Sequence, residues 1–264
     1  MVNCRKLSFQ PKVTLIFPAF NEVASIGSTV EQTAKYFESR GWTYEIIVSA
    51  DGNDGTREKV REMARANPAL RVIGEDARRG KGLGIREAVA IARGEIVGFA
   101  DADNKVPIEE FDKILPVLDS GCEVVIGSRA MAKSKLERRQ PLYRHLGGKA
   151  FRFVMRTVTG LQGVSDTQCG FKFFPREVAQ RLFRLQKVDG YMFDVEILVL
   201  ASRLGYRIEE VPIRWRDDGD SRLNVVAGNI RNARDILRIR YLHHGVRAES
   251  GAPARESSAA VTKQ

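Results

Sequence analysis

Histidine, cysteine and tryptophan are scarce in this 264-residue chain, at three, three and two residues. Cys4, Cys122 and Cys169 are too few and too scattered for a disulfide framework or a zinc site, so a reducing compartment is expected. His145, His243 and His244 all fall in basic helical stretches and none follows a strand, which leaves Ser-His-Asp or Cys-His chemistry without a base. A histidine-rich metal centre is excluded by the same count, and there is no GxSxG elbow. No apolar run approaches the roughly 18 residues of a membrane span. The opening MVNCRKLSFQPK lacks the apolar stretch of a secretory signal. With 43% apolar and 29% charged residues the chain is neither collagen-like nor wholly disordered, and its length suits one sizeable α/β domain, with or without an extension.

Positive charge is abundant: 43 basic residues stand against 33 acidic ones, a net +10. From Arg129 to Arg156 nine basic residues face Glu137 alone, a net +8, and from Arg222 to Arg247 six arginines face Asp235 alone, a net +5. A solvated surface is the plain reading of such charge. Confinement to two stretches favours a phosphorylated ligand, a polyanion or an anionic membrane. In the second stretch Val226, Ile230, Ala233, Leu237 and Tyr241 recur at helical steps beside an Arg231, Arg234, Arg238 stripe. Two readings stay open for it: a helix lying in a membrane interface, or one packed on the core with an arginine-rich outer face. Residues 248–264 are small, polar and aperiodic, and are expected to be disordered.

The first half alternates β-branched runs (Val13–Phe17, Tyr44–Ser49, Leu70–Ile73, Glu95–Ala100, Glu123–Ile126) with helix-like stretches (Glu22–Arg40, Thr56–Ala66, Gly82–Ala92, Ile108–Leu118). This βαβα rhythm predicts an α/β fold, a mostly parallel sheet sandwiched by helices. After Arg129 the rhythm fades. A helix is expected over Arg144–Thr159 and another over Phe193–Leu204, with strands at GFKFF and Arg207–Trp215, an α+β second half completing the site.

Ligands of open parallel sheets bind outside the carboxyl ends of the strands, and the unusual residues fall there. Pro18-Ala19-Phe20-Asn21-Glu22 follows the first strand, Ala50-Asp51-Gly52-Asn53-Asp54 the second, and Asp101-Ala102-Asp103 the fourth. Two carboxylates one residue apart at a strand end share one side. Such a pair suits Mg²⁺ or Mn²⁺ carrying phosphate oxygens, although either aspartate could instead cap the next helix. Arg78-Arg79-Gly80-Lys81-Gly82-Leu83-Gly84 opens a helix with ingredients that suit a phosphate, but it has neither Walker nor dinucleotide spacing.

Together these segments, with Gly127-Ser128-Arg129, resemble the family 2 glycosyltransferases of GT-A fold, from Val13 to about Tyr241. Asp166-Thr167-Gln168-Cys169-Gly170-Phe171-Lys172, Phe193-Asp194-Val195-Glu196-Ile197 and Ser221-Arg222-Leu223 are similar to the polyprenyl-phosphate branch, that of dolichyl-phosphate glucosyltransferases and mannose synthases. The resemblance implies one domain over 1–247: a nucleotide-sugar half at about 12–129, an acceptor half at about 130–222 and the basic helix at about 223–244. It implies that Pro18, Phe20 and Glu22 contact the nucleoside, and that Asp101 and Asp103 serve ribose, metal and diphosphate, with Asp103 the direct metal ligand. Arg216 and Arg222 would clamp the diphosphate, Arg129 would face donor and acceptor phosphates, and Arg144 and Lys149 would hold the lipid phosphate. Lys81, Ala102 and Asp51 complete the substrate set. The family usually carries Asp-Asp-Gly-Ser after the second strand. Ungapped, Ser49 and Ala50 replace both aspartates here; a one-residue gap, the preferred alignment, keeps Asp51 as the base reader.

The implied reaction moves a hexose with inversion from UDP-glucose or GDP-mannose to a polyprenyl or dolichyl monophosphate, the motifs around Asp166 and Phe193 leaning toward glucose. An acceptor that is already an anion needs no strong base, so in-line positioning and charge neutralisation would suffice. A hydroxyl acceptor would need a carboxylate base, for which Asp166 is the candidate. The catalytic set is thus Asp103, Arg129 and Asp166, with Mg²⁺ or Mn²⁺ as cofactor. Peripheral attachment to the cytoplasmic membrane face is expected. A soluble acceptor is the alternative. A basic nucleic-acid-binding module is disfavoured, because only Tyr143, Phe151, Phe153 and Tyr241 interleave the basic stretches and no known motif is present.

Overall fold

Near-continuous burial on both faces marks the strands of the first half as a covered sheet. They are β1 (Val13–Phe20), β2 (Tyr44–Asp51), β4 (Ile96–Ala100) and β5 (Val124–Ser128), with the less buried β3 (Leu70–Ile73) at an edge. The computed structural model describes residues 10–131, 133–136, 159–161, 163–216 and 225–247. Between the strands run α1 (Ile26–Ser39), α2 (Thr56–Ala66), α3 (Lys81–Ile91) and α4 (Phe111–Asp119), the last preceded by a 3-10 turn at Ile108–Glu110. The second half adds β6 (Lys135–Leu136), β7 (Phe171–Pro175), α5 (Arg176–Leu185), α6 (Phe193–Arg203), β8 (Ile208–Pro212), β9 (Arg214–Trp215) and α7 (Val225–Leu242).

The main sheet has seven strands in the order β3-β2-β1-β4-β7-β5-β8. All neighbours are parallel except β7, which inserts antiparallel between β4 and β5. A second-half strand thus completes the first-half sheet. Strands β6 and β9 form a separate parallel pair. Helix α5 has no counterpart among the sequence expectations, although Val178, Ala179, Leu182 and Phe183 are buried at helical spacing. Helix α1 begins later than expected, because Asn21 takes a positive φ and the Glu22 carbonyl closes a turn onto the Ser25 and Ile26 amides.

Strand alternation divides the core between two faces. Leu15, Phe17, Val48, Phe171 and Phe173 pack against α1 and α4, where Phe37, Trp42 and Phe111 make edge-on and tilted ring contacts. Ile16, Phe99, Ile126 and Phe174 pack against α3, α5, α6 and α7 on the other side. Helix α6 is buried all round from Phe193 to Ala201, so Asp194 and Glu196 in its first turn are interior carboxylates.

On α7 the core stripe is Ile236 and Ile239, continued by His243 just past the helix. The opposite face presents Arg234, Leu237, Arg238 and Tyr241, with Leu237 62% and Tyr241 78% exposed. At its described C-terminal end, the apolar stripe read from sequence therefore points outward beside the arginines, and a second apolar stripe, Ile236 and Ile239, packs on the core. The side chains of Val226, Ile230, Arg231 and Ala233, the expected Arg144–Thr159 helix apart from Thr159, and residues 248–264 lie outside the described residues.

The β4–β7 insertion needs Gly98, because a Cβ there would collide with the Phe173 ring across the antiparallel pair. Gly98→Ala should cost about 1–3 kcal/mol by overpacking, measured as a drop in the urea midpoint at unchanged m-value.

Candidate active site

The carboxyl ends of β1, β2, β4 and β5 open on the same side of the sheet, and the start of β7 joins them. The Asp101 amide donates to the Gly170 carbonyl (3.1 Å), and a side chain at Gly170 would strike the Asp101 carboxylate. Ala102 is buried, with its carbonyl accepting from Thr29 Oγ1 at 2.9 Å, so the backbone between the two aspartates is fixed from below. Asp101 and Asp103 remain 45% and 37% exposed at the side chain.

Each of these carboxylates carries a lysine. Lys81 Nζ lies 2.6 Å from Asp101 Oδ1, and Lys105 Nζ lies 3.1 Å from Asp103 Oδ2. Lys81 also stands 4.0 Å from Asp194, whose other oxygen bonds the fully buried Lys172 at 2.5 Å. Asp101, Lys81, Asp194 and Lys172 therefore form a line of alternating charge running from the site into the core. Burial works to lower the Lys81 pKa, but Asp101 and Asp194 outweigh it and hold it above the ordinary value.

The glycine-rich opening of α3 carries ingredients that suit a phosphate. The amides of Gly82 and Leu83 instead donate to the Asp189 carbonyl (2.8 and 3.3 Å). Of the lysine–glycine loop, the Lys81 side chain is what faces the site.

Arg129 follows β5 and is gripped by Asp166. Its backbone amide and Nε reach Asp166 Oδ2 at 2.9 and 2.7 Å, and Nη2 reaches Oδ1 at 2.8 Å. Asp166 is anchored in turn by Glu210 on β8, which accepts from the amides of Ser165 (2.7 Å) and Asp166 (3.0 Å). The Arg129 guanidinium also lies over the Trp215 ring, 5.6 Å from its centroid. Burial works to raise the Asp166 pKa, but the hydrogen bonds and charge of Arg129 outweigh it and hold the carboxyl below its ordinary value. A carboxylate so engaged holds Arg129 rather than accepting a substrate proton. Cys169, buried beside it, has its thiol pushed up to about 12 by burial and by the Asp166 charge, which removes it as a thiolate nucleophile.

Asp51 is similarly engaged. It accepts from the Arg79 amide (2.9 Å), from Arg79 Nε and Nη2 (3.2 and 3.1 Å) and from the Glu75 amide (3.3 Å). An exposed aromatic–cation group lies nearby, of which Phe20 was named from sequence while Arg78 and Tyr191 were missed. Arg78 stacks over the exposed Phe20 ring at 4.5 Å and its Nη2 approaches the Tyr191 hydroxyl at 3.4 Å. Pro18 lies within β1 beside this group, and the Glu22 amide donates to Thr56 Oγ1 at 3.0 Å, joining the β1 turn to α2. Arg216 is exposed, with its amide bonded to the Lys105 carbonyl at 2.9 Å, next to Asp103. Arg144, Lys149 and Arg222 lie outside the described residues.

Among the described residues no group of three or more His, Cys, Asp and Glu side chains converges as a metal cage. Mg²⁺ and Mn²⁺ acting on phosphates need only one or two carboxylates, the ligand supplying further oxygens. Two part-exposed carboxylates that already attract cations fit that requirement.

A mixed sheet with paired aspartates at the end of β4 and a cationic rim is the architecture of a GT-A glycosyltransferase. Residues 14–183 match the profile described as Glycosyl transferase family 2, and the chain belongs to that family. It is 35% identical over 238 residues to dolichyl-phosphate beta-glucosyltransferase ALG5C of Trichomonas vaginalis, covering 86% of this chain and 70% of that protein. It is 30% identical over 254 residues to the dolichyl-phosphate beta-glucosyltransferase of Homo sapiens, covering 90% and 78%. Among solved structures, glucosyl-3-phosphoglycerate synthase from Mycobacterium tuberculosis with UDP superimposes with TM-score 0.62 at 22% identity, over 91% of this chain and 82% of that one. A mannosyltransferase from Pyrobaculum calidifontis with GDP-Man and Mn²⁺ gives 0.54 at 22% identity, over 90% and 71%.

Because the folded Asp166 pKa lies below the unfolded value of about 3.9, the Arg129 pair stabilises the fold at neutral pH and loses that contribution as pH falls through the folded value. Asp166→Asn should cost about 3 kcal/mol at pH 7 and flatten the acid limb of stability against pH, both read by denaturant titration from pH 2 to 7.

Proposed function

We propose that this glycosyltransferase transfers glucose, with inversion, from UDP-glucose to a dolichyl or other polyprenyl monophosphate. The named activity of the relatives supports the sugar and the acceptor. The observation that carries the acceptor is the engagement of Asp166 by Arg129. Asp51, Asp166 and Asp194 are held by Arg79, Arg129 and Lys172, and Asp101 and Asp103 suit the donor side. That set offers no idle carboxylate to deprotonate a sugar hydroxyl. A phosphate monoester arrives ionised and needs none.

In this reading Phe20, Arg78 and Tyr191 receive the nucleoside, with Pro18 and Glu22 shaping the turn beneath and Asp51 acting through Arg79. Asp103, with Asp101, would hold Mg²⁺ or Mn²⁺, which when bound supplies Lewis-acid neutralisation of the departing diphosphate. Lys81 and Arg216 add positive charge on the donor side, and Arg222, Arg144 and Lys149 belong to the acceptor side by resemblance. Arg129, fixed by Asp166, faces the acceptor phosphate and orients its oxygen toward the anomeric carbon. The outer face of α7 meets the membrane that holds the lipid, arginines among anionic headgroups and Leu237 and Tyr241 in the interface. No helix among the described residues is long and apolar enough to cross a membrane.

A panel of nucleotide-sugars with Mn²⁺ or Mg²⁺ and a short polyprenyl phosphate tests the reaction. Lipid-linked glucose from UDP-glucose alone is expected, with Asp103→Ala and excess chelator each lowering turnover on the order of 100-fold. Donor hydrolysis without lipid product would point to a soluble acceptor and sink the lipid assignment. Arg234→Ala with Arg238→Ala should weaken binding to phosphatidylserine vesicles about tenfold or more without changing turnover of a water-soluble short-chain acceptor. Unchanged vesicle flotation would remove α7 from the interface.

A further inference from the structure

The turn that ends α7 reaches the donor side of the site. His243 is 3% exposed, and its Nε2 lies 2.6 Å from Glu196 Oε1. Glu196, fully buried in the first turn of α6, also accepts the amides of Lys187 and Val188, each at 2.8 Å. An ionised carboxylate only accepts, so His243 is the donor at Nε2. The His243 carbonyl is bound by Arg203 of α6, which fixes the ring's approach.

The segment held by Glu196 runs straight to α3. The Asp189 carbonyl accepts the amides of Gly82 and Leu83, and the Asp189 carboxylate pairs with Arg86 at 2.9 Å. The packing leaves no slack: a Cβ at Gly82 would lie 2.6 Å from the Val188 carbonyl oxygen and 2.7 Å from Phe193 Cβ. Gly80, at φ +115°, lies against the Asp189 carbonyl, a backbone shape that L side chains resist. Two residues further on, Tyr191 reaches Arg78. Hydrogen bonds and the 187–189 backbone therefore join His243 to the turn from which Lys81 projects.

We propose that His243 is a positioning residue for the nucleotide-sugar. Through Glu196 and the 187–189 backbone it sets the Gly80–Leu83 turn and hence the placement of Lys81, Arg78 and Tyr191. The C-terminal helix is then part of the donor site as well as a membrane-facing surface. The inference rests on the reading that this side of the cleft receives the nucleotide.

Full-length His243→Ala and His243→Gln proteins test it with two readouts, amide hydrogen exchange without ligand and calorimetric titration with UDP and GDP. In His243→Ala the Gly82 and Leu83 amides should exchange about tenfold faster while the β1 and β2 amides keep their protection. Affinity for the bound nucleotide and the donor KM should worsen about tenfold, with the acceptor KM unchanged. Gln places an Nε2–H near the same point and should restore most of both. Uniform loss of protection, equal changes in donor and acceptor KM, or a Gln variant no better than Ala would overturn the proposal. If His243→Ala does not fold, Glu196→Gln must show the same local exchange and donor defect, and its absence would be equally fatal. Failure of the lipid-acceptor reading would appear separately, as absence of lipid product from the unaltered protein with the exchange contrast intact.

Discussion

The alternating line Asp101–Lys81–Asp194–Lys172 governs how this fold can present acid to a phosphorylated ligand. A carboxylate at the end of a buried strand is costly unless its charge is met. Here Lys81 meets it from α3, and Asp194, at the start of a wholly buried helix, keeps Lys81 charged. Lys172 then balances Asp194 from the antiparallel strand β7, itself fully enclosed. Removing Asp194 or Lys172 leaves the other without its close ion-pair partner where there is little water, whereas Asp101 at the outer end stays partly exposed. The insertion of β7 and the burial of α6 are thus tied to the chemistry as well as to the core.

The same logic separates carboxylates that can act from those that cannot. Asp166 and Asp51 each accept at least three hydrogen bonds, mostly from one arginine, and are structural clamps that orient Arg129 and Arg79. Asp101 and Asp103 meet lysines on flexible stems and stay partly exposed. A cation bound with a diphosphate can replace an ammonium at little cost, whereas it could not displace a bidentate guanidinium from a buried carboxylate.

Local patterns made the strand–helix rhythm and the strand-end clusters legible in the sequence, because β-branched runs and Asp-x-Asp are short-range signals. What escaped is long-range. Arg129 and Asp166 are 37 residues apart, and Glu196 and His243 are 47; no local spacing announces either pair. Helix α5 escaped although its periodicity is present, hidden between a strand signal and the stronger helix after it. The second apolar stripe of α7 also escaped, for a physical reason. A helix with apolar residues on two faces offers two stripes, and only packing decides that Ile236 and Ile239 go inward while Leu237 and Tyr241 stay out.

That second stripe would be a liability on a helix with nothing to meet. Leu237 and Tyr241 lie at i and i+4 with Arg234 and Arg238 interleaved on one face, an arrangement that satisfies an interface with apolar depth and anionic surface at once. A wholly aqueous surface would favour replacing the apolar pair, and a protein interface would favour fewer charges at its centre. The same helix turns its inner face to Glu196 through His243. In the proposed reading, the face offered to the lipid and the residue that steadies the donor turn are about one helix diameter apart, close to 10 Å, on one helix and the turn that ends it. On that reading, a chain bringing a water-soluble sugar nucleotide to a membrane-bound phosphate gains from that economy, because the element that would set its height above the bilayer would also brace the pocket for the sugar.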